Sequence, residues 1–148
     1  MNVTASQLLR KVLLNAGLAD LPVTPPVSGQ WPITIGNMPS GKDVSDNYLM
    51  IRGTGGWIES RVHSTGKDDS HPMCQIWTRS LLHSDAELKS RRIEKYLATL
   101  TEFVVAVNGY NVLLHSVVIK TPTAWVKQEE QNQRQLYVVN VQLTMSED

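Results

Sequence analysis

The chain predicts an α+β domain: a mixed, mainly antiparallel β-sheet with two amphipathic helices packed on one face, plus a β-hairpin and long loops. Three observations carry this expectation. Residues Ala5 to Ala16 and Ala86 to Leu100 repeat apolar side chains at helical spacing. Asn108-Gly109 stands between apolar alternations, the strongest short-range signal of a two-residue type I′ hairpin. The order helix, strand, strand, helix, hairpin, strand suggests layers of unlike elements around one core. Two helices on one face leave the other face needing cover, which a subunit partner would supply.

Composition sets the outer bounds. The 148 residues suit a single domain spanning 1–148, large enough to bury a core without disulfides or metal. Apolar residues at 41% and charged residues at 19% are ordinary for a globular chain and exclude a disordered one. Lys plus Arg equals Asp plus Glu at 14 each, so no net field draws the whole protein to nucleic acid or an anionic membrane. The one cysteine, Cys74, excludes an intramolecular disulfide and suits a reducing compartment. The start, MNVTASQLLRKVLLNAG, lacks the basic-then-apolar order of a signal peptide, and no apolar run nears the roughly 20 residues of a membrane span. The expectation is a protein made and used in a cytoplasm, with no membrane partner.

Thr4 and Gln7 form a capping-box pattern ahead of Leu8, Leu9, Val12 and Leu13, and Gly17 offers a C-cap. Leu18 to Pro32 carries Pro22, Pro25, Pro26, Gly29 and Pro32, so it reads as a connector with few ladder bonds. Ile33 to Ile35 allows a short edge strand before Gly36, and Met38 to Lys42 a turn. Tyr48 to Arg52 is a compact apolar strand, ended by Gly53, Gly55 and Gly56, with a long polar loop after them. Pro72 to Arg79 resumes as a strand, with Met73, Gln75, Trp77 and Arg79 on one side and Cys74, Ile76 and Thr78 on the other. Ser84 and Glu87 predict a second capping box, and the helix after it carries Ala86, Ile93, Leu97 and Leu100 on one side. The hairpin at Asn108-Gly109 joins Phe103 to Val107 with Tyr110 to Lys120. Thr121 to Gln135 is polar and reads as a surface loop, and Leu136 to Met145 closes the chain as a strand with Tyr137, Val139, Val141, Leu143 and Met145 inward.

Little of this resembles catalytic machinery. His63, His71, His83, His115 and Cys74 match none of the paired zinc spacings, and a His71–Cys74 nucleophile pair is awkward because residues three apart on a strand face opposite ways. A small metal-binding or hydrolytic domain using His71, Cys74 and His115 therefore ranks last among the functional readings. The acidic pairs Asp68-Asp69 and Glu129-Glu130 lie in stretches read as solvated loops, where raised carboxyl pKa values have no cause. Gly53-Thr54-Gly55-Gly56 lacks the Lys-Ser/Thr ending of a P-loop. Arg79, Arg91 and Arg92 read as a solvated basic cluster. No catalytic, cofactor or metal residue is assigned. Trp57 and Trp125 are more informative, because aromatic residues in polar loops favour interfaces, the alternative being a loop that folds back and buries its tryptophan on its own domain. Trp57, Ile58 and Arg61, with Trp125, Val126, Lys127 and Arg134 from the later stretch, form the expected interface set.

The strand Tyr48 to Ile51 ending in Gly53-Thr54-Gly55-Gly56, followed after a loop by His71-Pro72-Met73-Cys74-Gln75-Ile76-Trp77-Thr78-Arg79 and an amphipathic helix, resembles the tail terminator family of long-tailed bacteriophages. The Asn108-Gly109 hairpin and the closing strand Gln135 to Val141 are similar to that family's last third. The resemblance implies a structural virion protein without enzymatic activity. It implies a hexameric ring that caps the tail tube at its head-proximal end, stops tube polymerisation and offers its other face to the head-side connector. Tail-tube protein and connector would be its partners, DNA would pass through the lumen without specific binding, and assembly would take place in the host cytoplasm. A head-side connector or stopper is the alternative within the same machine.

Overall fold

A computed structural model describes residues 2–58 and 70–147. Helix α1 (Ala5–Asn15) begins at the predicted capping box, with Gln7 N–H donating to Thr4 Oγ1 at 3.2 Å and Thr4 N–H donating to Gln7 Oε1 at 2.9 Å. It ends in a Schellman turn: Gly17 N–H reaches Leu14 O, Leu18 N–H reaches Leu13 O, and Gly17 takes φ +74. Leu8, Leu9, Val12 and Leu13 are buried along one side of it.

Six strands follow in chain order: β1 (Ile33–Ile35), β2 (Tyr48–Ile58), β3 (Ser70–Ser80), and, after helix α2 (His83–Ala98), β4 (Thr101–Val107), β5 (Tyr110–Gln128) and β6 (Gln135–Glu147). They form one sheet in the order β1-β2-β3-β6-β5-β4, antiparallel except for the β1–β2 pair. The predicted α+β class with a mixed, mainly antiparallel sheet and two helices therefore holds. Helix α1 packs on β1, β2, β3 and also β4. Those strands include both ends of the sheet, so the sheet must curl around the helix. Helix α2 packs on β3, β5 and β6 through Ala86, Ser90, Ile93 and Leu97, one residue per turn. Leu49, Ile51, Cys74, Ile76, Val139, Val141 and Leu143 meet the helices in a single core. Burial of each such aliphatic side chain stabilises the fold by about 1.5–3 kcal/mol.

The alternation along β3 is as expected, with Cys74, Ile76 and Thr78 buried on one side and Met73, Gln75 and Trp77 half-buried on the other. Asn108 and Gly109 both take positive φ, 50 and 83, as a type I′ hairpin requires. The connector Leu18 to Pro32 makes a single isolated bridge, Asp20 to Pro32.

Four expectations need correction. The glycines after Arg52 do not end β2. The strand runs on to Ile58 against β3, with a bulge between Gly53 and Gly55 absorbing the register shift, and Gly55 at φ +113. The polar stretch from Thr121 is not a loop, because β5 continues to Gln128 along β6 through several register shifts. Its polar side chains line an edge, where ladder bonds to β6 outweigh composition. The Ser84–Glu87 capping box does not form: Leu82 is the N-cap, no side chain caps it, and Glu87 binds Arg91 instead. Gln142, expected to point outward, is buried. No described helix is long and apolar enough to cross a membrane.

Candidate interface at the Trp125 corner

The end of β5, the start of β6 and the first turn of α2 meet at one corner of the sheet. Trp125 pairs with Tyr137 across the β5–β6 ladder. Its indole N–H donates to Gln135 Oε1 at 3.0 Å, and the Gln135 amide donates in turn to Gln128 Oε1 at 3.1 Å. His83 lies 6.1 Å from Trp125 and stands edge-on to Tyr137, with Nδ1 3.0 Å from the phenol oxygen. Desolvation, helped by the Glu87 carboxylate and opposed by Arg91, pushes the Tyr137 phenol above its ordinary pKa. Trp125 is thus fixed by hydrogen bonds and ring contacts, yet it remains 53% exposed, beside Val126 at 36% and near Leu82 at 56%. An ordered, half-wet tryptophan with its polar atom already satisfied is suited to burial by another surface, because docking would desolvate only its apolar face.

Behind this corner lies a clamp of two arginines. Arg79, at the end of β3, donates from Nη1 to Pro39 O, from Nη2 to Ser45 O at 2.7 Å and from Nε to Asp46 O at 3.3 Å. Arg134, in the β5–β6 turn, donates from Nε to Asp46 Oδ1 at 2.9 Å and from Nη2 to the carbonyls of Gly41 and Val44. Glu129 Oε1 sits 3.8 Å from Arg79 and 3.9 Å from Arg134, and Glu129 Oε2 accepts from Ser40 Oγ. Tyr48 stacks its ring 5.2 Å from the Arg79 guanidinium. Burial, together with the Arg134 charge, lowers the Arg79 pKa to about 10 against the pull of Glu129, Tyr48 and Asp46, so it stays charged at neutral pH. The segment 39–46 is held over this end of the sheet by side chains remote in sequence.

The expected interface set is therefore divided. Trp125, Val126 and Lys127 lie together on the exposed end of β5. Arg134 does not join them, because it is 2% exposed and committed to the 41–46 carbonyls and Asp46. Arg79 likewise is fully buried and belongs to no solvated basic cluster. Trp57 and Ile58 fall in the far end of β2, in register with His71 and Ser70. Arg61 lies outside the described residues. Along β3, His71 and the Tyr137 partner Thr78 are seven residues apart, so the two halves of the set stand at opposite ends of the sheet, about 23 Å apart. His83, Gln135 and Tyr137 belong to the corner and were not expected there: the sequence offers His83 only as a metal ligand, and Tyr137 only as an inward residue of the closing strand. An aromatic residue at the start of a closing strand was the only signal for them.

The residues of the lowest-ranked reading, a metal-binding or hydrolytic domain, are not gathered at one place. Cys74 is buried against the helices, whereas His71 bonds Thr144 Oγ1 at 3.1 Å on the other face. His115 lies between Glu102 and Ser146. Among the described residues no group of three or more His, Cys, Asp or Glu is placed to hold a metal ion. No protein-family model and no curated protein matches the chain.

Proposed function

We propose that this protein is a structural ring subunit of a long-tailed phage, which caps the tail tube and presents its other face to the head-side connector. The observation that carries this reading is the separation of the candidate contacts: Trp125 to Lys127 at one end of the sheet, Trp57 and Ile58 at the other. A ring component that joins two unlike partners along its axis needs a contact surface at each end, and heterologous neighbours close such a ring. The HPMCQIWTR strand that resembles the terminator family is the core strand β3, which spans the distance between the two ends. The reading includes no reaction and no cofactor.

Co-sedimentation with polymerised tail-tube protein tests it. Wild-type protein should pellet with tubes, and Trp125→Ala, which removes a half-exposed ring outside the core, should weaken that binding at least tenfold while the protein stays folded. Failure of the wild type to pellet with tubes would overturn the capping role. Capture of connector protein but never of tube protein would favour the head-side alternative.

A further inference from the structure

Among the described residues four stretches of the sheet have no strand on their outer side; that of β2 beyond Ile51 is glycine-rich and kinked by the bulge between Gly53 and Gly55, and of the other three two are blocked. On β1, Ile33 N–H already donates to Asp20 O, and the Asp20–Pro32 bridge lays the connector along the strand. The second stretch is the distal half of β5, beyond Ser116, where β4 has ended. There Glu94 of α2 accepts the Thr123 N–H at 2.6 Å, Ser90 Oγ meets Thr123 Oγ1 at 3.0 Å, Pro122 has no donor, and register shifts break the ladder.

The third stretch is β4, the last strand in the sheet order, and among the described residues no chain pairs with its outer side. Its sequence, TEFVVAV, contains no proline and no lysine, and its single charge is Glu102 at the start, where φ is +47. Phe103 is 37% exposed and Val104 59%. Natural sheets seldom leave such an edge apolar and uncharged without a use for it.

The hairpin geometry says which backbone groups are free. A two-residue turn makes Val107 and Tyr110 a hydrogen-bonded pair, so Val105 and Phe103 also bond inward, to Val112 and Leu114. The N–H and C=O groups of Val104 and Ala106 consequently point outward, as does the C=O of Glu102, whose φ of +47 is not that of an extended strand. This outward set is symmetric about Val104.

We propose that β4 pairs antiparallel with β4 of a second copy about a two-fold axis through Val104, making one continuous sheet across two subunits. In that register Val104 bonds its own counterpart, and each Glu102 faces Ala106 of the other copy, so no like charges oppose. Up to four backbone hydrogen bonds form, two between the Val104 residues and one from each Ala106 N–H to the opposite Glu102 C=O, with Val104 burying itself against its equivalent. Any register that brings the two Glu102 carboxylates opposite each other adds repulsion and loses the pairing at Ala106. The pairing uses neither the Trp125 corner nor the far end of β2; being two-fold, it joins free subunits or copies from different rings and not neighbours within one ring.

The test is a symmetric cross-link. A hydrogen-bonded antiparallel pair places its Cα atoms about 5.5 Å apart, inside the range a disulfide spans. The native thiol, Cys74, is 1% exposed and does not compete. Val104→Cys should oxidise to a disulfide-linked dimer on a non-reducing gel, whereas Leu88→Cys, also about half exposed but on helix α2 and away from any strand edge, should remain monomeric. Sedimentation of Val104→Pro, which deletes an N–H that no intramolecular bond uses, should show at least a tenfold weaker dimer with an unchanged circular dichroism spectrum. A Val104→Cys protein that stays monomeric, equal cross-linking at both positions, or a dimer untouched by Val104→Pro would each overturn the proposal.

Discussion

Arg79 and Arg134 show how far a side chain's role can lie from its local sequence. Both are buried, and both use the guanidinium fork to collect carbonyls of the segment 39–46. A lysine cannot make those parallel bonds. Arg79→Lys should therefore lower stability by about 2–3 kcal/mol in urea unfolding at constant m, the loss of one or two charge-assisted bonds. A change under about 0.5 kcal/mol would contradict the clamp. Nothing around Arg134 foretold its burial, since the Asp46 carboxylate and the two backbone carbonyls that it binds lie about ninety residues earlier. Cys74 is the opposite case, because its place in the β3 alternation already put it inside. Desolvation, only partly relieved by a hydrogen bond with Ser6, pushes its thiol up to about 11. At pH 8 the folded protein should react with a disulfide reagent no faster than it unfolds, and fast labelling in native buffer would contradict that placement.

At the scale of elements, the legible parts are those whose signals are local. The Thr4–Gln7 box, the leucine spacing of α1, Gly17 and the Asn108-Gly109 turn each act within a few residues, and each stands as expected. The distal halves of β2 and β5 were hidden because their strand character depends on a partner. Gly53 to Gly56 extends along β3, and Thr121 to Gln128 along β6, in spite of glycine-rich and polar compositions. Within β5 the same polarity protects an edge. Glu94→Ala leaves the Thr123 N–H without its acceptor and should cost about 1.5–3 kcal/mol, with greater aggregation on warming. Thermal unfolding with light scattering would check this, and wild-type behaviour would mean that α2 does not guard that edge.

For the whole molecule, a curled sheet with both helices packed against it leaves two ends and the outer side of β4 for contact. The candidate interface was half legible. Trp125, Val126 and Lys127 do form one exposed corner, while Arg134 turned out to be structural and Trp57 and Ile58 occupy the other end of the sheet. That division came from the continuation of β2 and β5 beyond their expected ends, which no local pattern reveals. It gives the proposed capping role its shape, a subunit with one contact surface towards the tube and another towards the head. The most direct measurement is the length distribution of tail tubes polymerised with and without this protein, imaged by negative-stain electron microscopy. The proposed role predicts shorter tubes, each carrying a ring at one end. Tubes of unchanged length with bare ends, at a several-fold excess of this protein, would contradict it.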